Sequence, residues 1–295
     1  MSDNNPAIFC FGEILWDVLP DKKLPGGAPT NVAYNLNRLG LPTGIISRIG
    51  NDANGHQLIE FLQEKDIPTR YVQMDMEQPT STVQATIDEK EGMKYEIVQP
   101  VAWDFIATDE EILSLVGQAG AFIFGSLAAR SETSRASLMK LLEQPVKKIF
   151  DINLRAPHYT LPFVDELMQQ SDILKLNEHE LALLADFYGW SGSEEEHVRS
   201  LDERFSPELI LLTRGGAGAA VLQKEKFFEH PGFTVDVADT IGSGDAFLAG
   251  FLSQHLQGKP IEESLAFAAA LGAFVASKDG ACTVYTEEEI RGMIA

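Results

Sequence analysis

"DILKLN" (Asp172–Asn177) is an apolar run of strand length that closes on a polar residue, and a helical pattern follows it. The same form recurs in "AFIFG" (Ala121–Gly125), "KIFDIN" (Lys148–Asn153) and "ELILLTR" (Glu208–Arg214). Earlier in the chain, Ala7–Phe11 and "GIISRIG" (Gly44–Gly50) read as strands too. Between them Val32, Leu36 and Leu39 share one helix face until Gly40 and Pro42 stop it, and Leu58, Ile59 and Leu62 mark the next helix. Strand–helix alternation of this kind predicts an α/β fold with a mostly parallel central sheet.

The rhythm breaks between residues 70 and 100. "STVQATIDEKEGMKYEIVQ" (Ser81–Gln99) alternates apolar and polar residues about a turn at Glu91–Gly92, which predicts a β-hairpin. A hairpin needs a sheet outside the parallel layer. "ILWDVL" (Ile14–Leu19), closed by the turn "PDKKLPGG", supplies a further strand for it. The expectation is one domain over 1–295 with a small β-sheet lid built from roughly residues 13–27 and 70–104.

Composition narrows the function. The chain has 295 residues, 44% hydrophobic and 23% charged, enough for a sizeable core. A net charge of −21 excludes a nucleic-acid binder, whose affinity rests on phosphate contacts. No apolar run is long enough to span a membrane, and the acidic, polar start has no basic segment of a signal peptide. Cys10 and Cys282 have neither disulfide nor metal spacing, which points to a reducing cytoplasm.

In open α/β sheets ligands gather at the carboxyl ends of the strands. That directs attention to Asn153 and Arg155, Lys175 and Asn177, Thr213 and Arg214, and Asp239–Asp245. The last stretch is the most informative. Val235–Asp239 reads as a strand running into Gly242, Ser243 and Gly244, and a helix with Phe247, Leu248, Phe251 and Leu252 on its faces follows. Amides of a helix's first turn can receive an anion. Asp245 stands either beside that anion or as an acid favoured by the helix dipole.

Other chemistries lack their signatures. "GNDANGHQ" has His56 and Gln57 where a P-loop needs Lys and Ser or Thr. Phe247 stands where a dinucleotide fingerprint needs a small residue, and "HELAL" lacks the second histidine of a zinc protease. A glycine-lined anion turn beside a carboxylate remains, which suits transfer of a phosphoryl group to a hydroxyl.

Successive blocks resemble the PfkB (ribokinase-like) carbohydrate kinases over nearly the whole chain. "GGAPTNVAYNLNRLG" (Gly26–Gly40) is similar to the N-terminal signature and "RIGNDANG" (Arg48–Gly55) to the block after it. "DINLR" (Asp151–Arg155), "KLNEHE" (Lys175–Glu180) and "TRGGAGA" (Thr213–Ala219) resemble internal blocks, and "DTIGSGDAF" (Asp239–Phe247) the C-terminal signature. Thr30, Ile241 and Ser243 depart from the usual residues.

The resemblance implies a Rossmann-type sandwich and ATP-dependent phosphorylation of a sugar. It makes Asp245 the base, with the amides of Gly242, Ser243 and Gly244 as the anion hole. It implies sugar contacts at Asp17, Gly27, Asn31 and Arg155, and an ATP site at Lys175, Asn177, Thr213, Gly216 and Gly218. Asn177 and Glu180 would hold Mg²⁺ through water, though their spacing also fits an acidic helix start. Lys175 reads equally as a surface residue, and Thr213–Gly218 as a plain hairpin turn. Asp239, Ile241 and Gly280 would offer backbone carbonyls to K⁺. Trp16, Trp103 and Phe105 read as core, or as a cover over the sugar. The neutral "APT" and the segments "GEILWD" and "DINLR" look most like fructokinases, giving D-fructose as acceptor and fructose 6-phosphate as product. Another free sugar, a sugar acid such as 2-keto-3-deoxygluconate, or a non-catalytic sugar- or nucleotide-binding protein are the alternatives. A homodimer through the lid is a further expectation.

Overall fold

β1 (Ile8–Phe11) is buried along its whole length, as expected of a strand covered on both faces. The computed structural model of the chain describes residues 8–18, 22–88 and 92–294. Ala7, Leu19 and Glu91, the ends of the first two predicted strands and part of the predicted turn, lie outside these residues, as does the polar N-terminal stretch before Ala7. Contacts divide the chain into two compact units, the described parts of Met1–Gly120 with Ala128–Val146 and of Ala121–Leu127 with Lys147–Ala295.

In the first unit, β2 (Leu15–Val18) pairs antiparallel with β3 (Lys23–Gly26). Lys23–Gly26 is therefore strand and not the turn expected from its Pro and Gly content. Pro25 is tolerated because β3 is an edge strand, where a missing N–H breaks no ladder. α1 (Ala28–Arg38) follows and packs on β1 and on β4 (Thr43–Gly50). After α2 (Ala53–Glu64) comes β5 (Val72–Asp75), a strand not anticipated, which pairs in parallel with β4. β1 and β4 are also parallel.

The hairpin forms as expected, from β6 (Ser81–Asp88) and β7 (Gly92–Ile97). β2 pairs in parallel with β6, giving a separate small sheet in the order β3-β2-β6-β7. This sheet is narrower than the expected lid, because β5 joins β4 and Ala102–Phe105 is a buried 3₁₀ turn. α3 (Glu110–Gly117) and α4 (Glu132–Leu142) complete the unit, capped by Asp109 and Ser131. Trp103 is fully buried, with the Arg130 guanidinium 3.9 Å from its ring centre.

The second unit carries β8 (Ala121–Gly125), β9 (Lys148–Asp151), α5 (Leu161–Gln169), β10 (Ile173–Asn177), α6 (Glu178–Tyr188), α7 (Glu194–Phe205) and β11 (Leu209–Thr213). β8 to β11 are parallel neighbours in chain order. Here one expectation fails. No helical pattern follows β11; a 3₁₀ turn leads into β12 (Ala219–Gln223) and β13 (Lys226–His230), which extend the sheet antiparallel. Val235–Asp239 is not a strand either. Val237 is 63% exposed, and the amides of Ala238 and Asp239 bond the Ala276 carbonyl instead of a neighbouring strand.

α8 (Ser243–His255), α9 (Ile261–Ala276) and α10 (Glu287–Ile294) end the unit, with α9 packed on α8, β12 and β13. Gly250 lets α8 and α9 touch at backbone level, since a Cβ there would stand 3.1 Å from the Ala268 Cα. Among the described residues no helix is long and apolar enough to cross a membrane.

Candidate functional site

The second unit concentrates charge where β9, β10, α6 and α8 meet. Register places Asp151, the last residue of β9, directly opposite Lys175 of β10. Lys175 Nζ donates to both carboxylate oxygens of Asp151 at 3.0 Å, and both side chains are buried. A Cβ built on Gly244 would lie 3.2 Å from this nitrogen, so the ammonium sits against the first turn of α8. Burial alone would favour the neutral amine. The carboxylates of Asp151, Asp245 and Glu180 outweigh it, and the pKa of Lys175 lies above the ordinary lysine value. Lys175 is thus a buried, charged residue.

The start of α8 is built to stay open. Gly242 precedes it at φ 75°, a left-handed conformation that suits glycine, and no side chain caps the helix. The Ser243 hydroxyl donates to the Thr240 carbonyl at 2.9 Å, and its amide bonds the same oxygen at 3.3 Å. Asp245 lies in this first turn, only 9% exposed. Its charge acts on Lys175.

Asn177 and Glu180 close the start of α6. Asn177 Oδ1 accepts the amides of His179 and Glu180 at 3.0 and 2.9 Å. Glu180 reaches back to the Asn177 amide at 2.9 Å and takes the Leu154 amide at 2.7 Å. Burial raises the pKa of Glu180 above the ordinary range, with Lys175 opposing and Asp151 adding to the effect. With each Glu180 oxygen holding one backbone amide, the carboxylate keeps lone pairs that can accept from water. That fits a Mg²⁺ ion that keeps its own waters. Among the described residues no cluster of three or more His, Cys, Asp or Glu could hold a metal directly.

The expected cation-site residues do meet: Asp239 accepts the Ile241 amide at 2.9 Å and the Gly280 amide at 3.4 Å. Thr213 ends β11 and donates to the Leu176 carbonyl at 3.4 Å. Gly216 borders open space, whereas Gly218 packs against the His230 carbonyl, which leaves no room for a side chain. The glycine at 218 is thus required by the β12–β13 hairpin itself. Arg155 departs from its expected setting. β9 stops at Asp151, and Arg155 lies exposed in the loop beyond, bonded to the Leu154 carbonyl at 3.1 Å.

In the first unit, Asp17, Gly27 and Asn31 gather at the β3–α1 junction. The Asp17 carboxylate covers Gly26, where a Cβ would collide with it. Gly27, at φ 106°, faces the Glu13 carbonyl so closely that only glycine fits, and its own carbonyl accepts the Asn31 amide at 2.9 Å. Asn31 is 3% exposed. Trp16 Nε1 donates to the Asn54 carbonyl at 3.0 Å, so this indole is tied to the protein itself. An open cleft of about 440 Å³ lined by Arg48, Met74, Asp75, Met76 and Phe105 lies elsewhere in this unit and holds none of these residues.

Sequence reasoning missed Asp151 and Glu13. Glu13 is 3% exposed and accepts the Ala28 amide at 3.3 Å. Each was visible in a quoted segment, "DINLR" and "GEILWD", as an acid amid apolar neighbours. An acid in such a run is either at a strand end or partnered, and register decides which.

Comparison with known proteins adds four findings. The family model described as pfkB family carbohydrate kinase matches residues 8–288. A fructokinase of Klebsiella pneumoniae is 31% identical over 303 residues, spanning 95% of this chain and 96% of that protein. A fructokinase of Salmonella typhimurium is 29% identical over 300 residues, with 95% and 96% covered. Among solved structures, the fructokinase of Vibrio cholerae O395 with fructose, ADP and calcium superposes with a TM-score of 0.83 at 25% identity, covering 99% and 100% of the two chains.

Proposed function

Since the chain belongs to the pfkB family of carbohydrate kinases, we propose that it transfers the γ-phosphoryl group of ATP to D-fructose, giving fructose 6-phosphate. The observation that carries this is the open first turn of α8, with Asp245 inside it and the Lys175 ammonium beside it. An uncapped helix start attracts an anion. A carboxylate in the same turn repels one, unless it serves the group that attacks it. Asp245 takes the proton of the sugar hydroxyl, a role worth about 10²–10⁴ in rate. The amides of Gly242 and Gly244 meet the charge that builds on the transferring phosphoryl group, joined by that of Ser243 once it leaves the Thr240 carbonyl.

Lys175 adds fixed positive charge to this turn. Thr213, Gly216 and Gly218 border the nucleotide. Asn177 and Glu180 would hold Mg²⁺ through its waters, and the ion would supply positive charge to the phosphates. Asp239 orders the loop whose carbonyls at Ile241 and Gly280 would take K⁺. Asp17, Gly27 and Asn31 bind sugar hydroxyls, through a carboxylate that accepts and an amide that does both. Asp17 lies on β2 of the small sheet, so that sheet acts as the lid on the acceptor. Arg155, exposed in the loop after β9, is the sugar contact contributed by that loop.

Fructose as acceptor is supported by the names of the relatives and by the neutral Ala28-Pro29-Thr30 segment. A panel of free sugars, sugar acids and sugar phosphates assayed for ATP consumption tests it. Fructose is expected to give the highest kcat/KM, with fructose 6-phosphate nearly inert. A preference for a phosphorylated or acidic sugar overturns the assignment.

A further inference from the structure

We propose that Asp151 is a positioning residue for the transfer: by holding the Lys175 ammonium, it keeps that charge against the first turn of α8. The inference rests on the kinase reading above.

Three carboxylates act on this ammonium, Asp151 from β9, Asp245 from α8 and Glu180 from α6. Glu180 has both oxygens committed to the Leu154 and Asn177 amides. Asp151 is the one that grips, with both its oxygens 3.0 Å from Nζ. The grip follows from backbone register, because residues paired across parallel strands cannot drift apart without unzipping the sheet. Its position matters because Gly244 offers no side chain, leaving the ammonium in contact range of the helix backbone. Without the Asp151 charge, the ammonium is left to Asp245 and Glu180. A displaced ammonium no longer supports the anion at the helix start.

The test is a double-mutant cycle on the full chain, with Asp151→Asn, Lys175→Met and the two combined. Melting temperature, MgATP affinity by calorimetry, and kcat and KM with fructose are measured on each, the kinetics well below the lowest melting temperature. Each single change is expected to lower the melting temperature, because it leaves a buried group without its partner. The combined change is expected to restore most of it, since neither member of the Asp151–Lys175 pair is then left charged without the other.

Turnover is expected to behave differently. Asp151→Asn lowers kcat about 10- to 100-fold, with KM for fructose little changed. In the Lys175→Met background the same change has no further effect, because Asp151 acts through Lys175. Losses that multiply, or an Asp151→Asn enzyme as fast as wild type, overturn the proposal. So does a combined variant that regains kcat together with stability, which would make the pair purely structural. If Asp151→Asn does not fold, Asp151→Glu replaces it: the charge is kept but moved by one methylene, and kcat is expected to fall while the melting temperature holds. An unchanged kcat there also overturns the proposal. A wild-type protein that binds MgATP but turns over no sugar defeats the acceptor reading alone. Weakened MgATP binding in Asp151→Asn then supports the positioning role, and unchanged binding rejects it.

Discussion

At the start of α6, Asn177 accepts two amides and Glu180 returns to the Asn177 amide, so the helix closes on itself. At the start of α8 in the same unit, Gly242 precedes the first turn and no side chain caps it. α2 resembles α6 in this respect, with Asp52 accepting the Gly55 amide at 2.8 Å and Thr80 Oγ1 and the Thr80 amide at 2.7 and 2.8 Å. A helix start satisfied by its own side chains serves stability. One left uncapped and lined with glycine keeps the positive end of its dipole available to an incoming anion. Both kinds contain an acid near the N-terminus, so an acid at that position does not separate them. Whether a side chain caps the first turn does.

The sharpest way to break this contrast is Asp245→Asn. The change keeps size and removes the proton acceptor. Turnover is expected to fall by at least about 10²-fold, with melting temperature and MgATP affinity retained. Near wild-type turnover with a lowered melting temperature would place Asp245 with the capping acids.

A mirror-image outcome is expected at α2. Asp52→Ala removes a cap and the link to Thr80, and should cost about 1–3 kcal/mol of stability. Denaturant unfolding measures that loss, while kcat well below the transition is expected to stay at the wild-type value. A large fall in kcat with unchanged stability would erase the distinction between the two helix starts.

The smallest effect is in pH. Burial would raise the pKa of Asp52, but its bonds from Thr80 and Gly55 outweigh this and hold it below the ordinary aspartate value. Such a group stabilises the fold at pH above its unfolded pKa, and the contribution fades as pH falls through the folded value. The stability gap between wild type and Asp52→Asn should therefore be full at neutral pH and narrow below about pH 4. A gap that stays constant into acid would show that the carboxylate's charge contributes nothing.

Much of this was legible in one dimension. Apolar runs of strand length separated by helical patterns gave β8 to β11, and the alternation of Ser81–Gln99 gave the hairpin, because periods of 3.6 and 2 are properties of neighbouring residues. Where a local pattern had two readings, the sequence misled. Val235-Asp236-Val237 alternates as a strand would, yet among the described residues no strand pairs with it and Val237 is exposed. Lys23–Gly26 carries turn residues, yet β2 lies alongside and makes it an edge strand. Arg155 follows an apolar strand, yet the strand ends early and the guanidinium is exposed.

The sequence by itself determined the α/β alternation, the glycine turn before α8 and the acid in its first turn, each set by residues a few positions apart. Only the tertiary structure decided that Lys175 is buried rather than on the surface, and that its partner is Asp151, 24 residues earlier in the chain. It also decided that Glu180 reaches from α6 to the Leu154 amide in the loop after β9. Spacing along the chain specifies which face a residue occupies. Which charge stands across from it depends on strand order and register, and these are settled by the packing of the whole sheet.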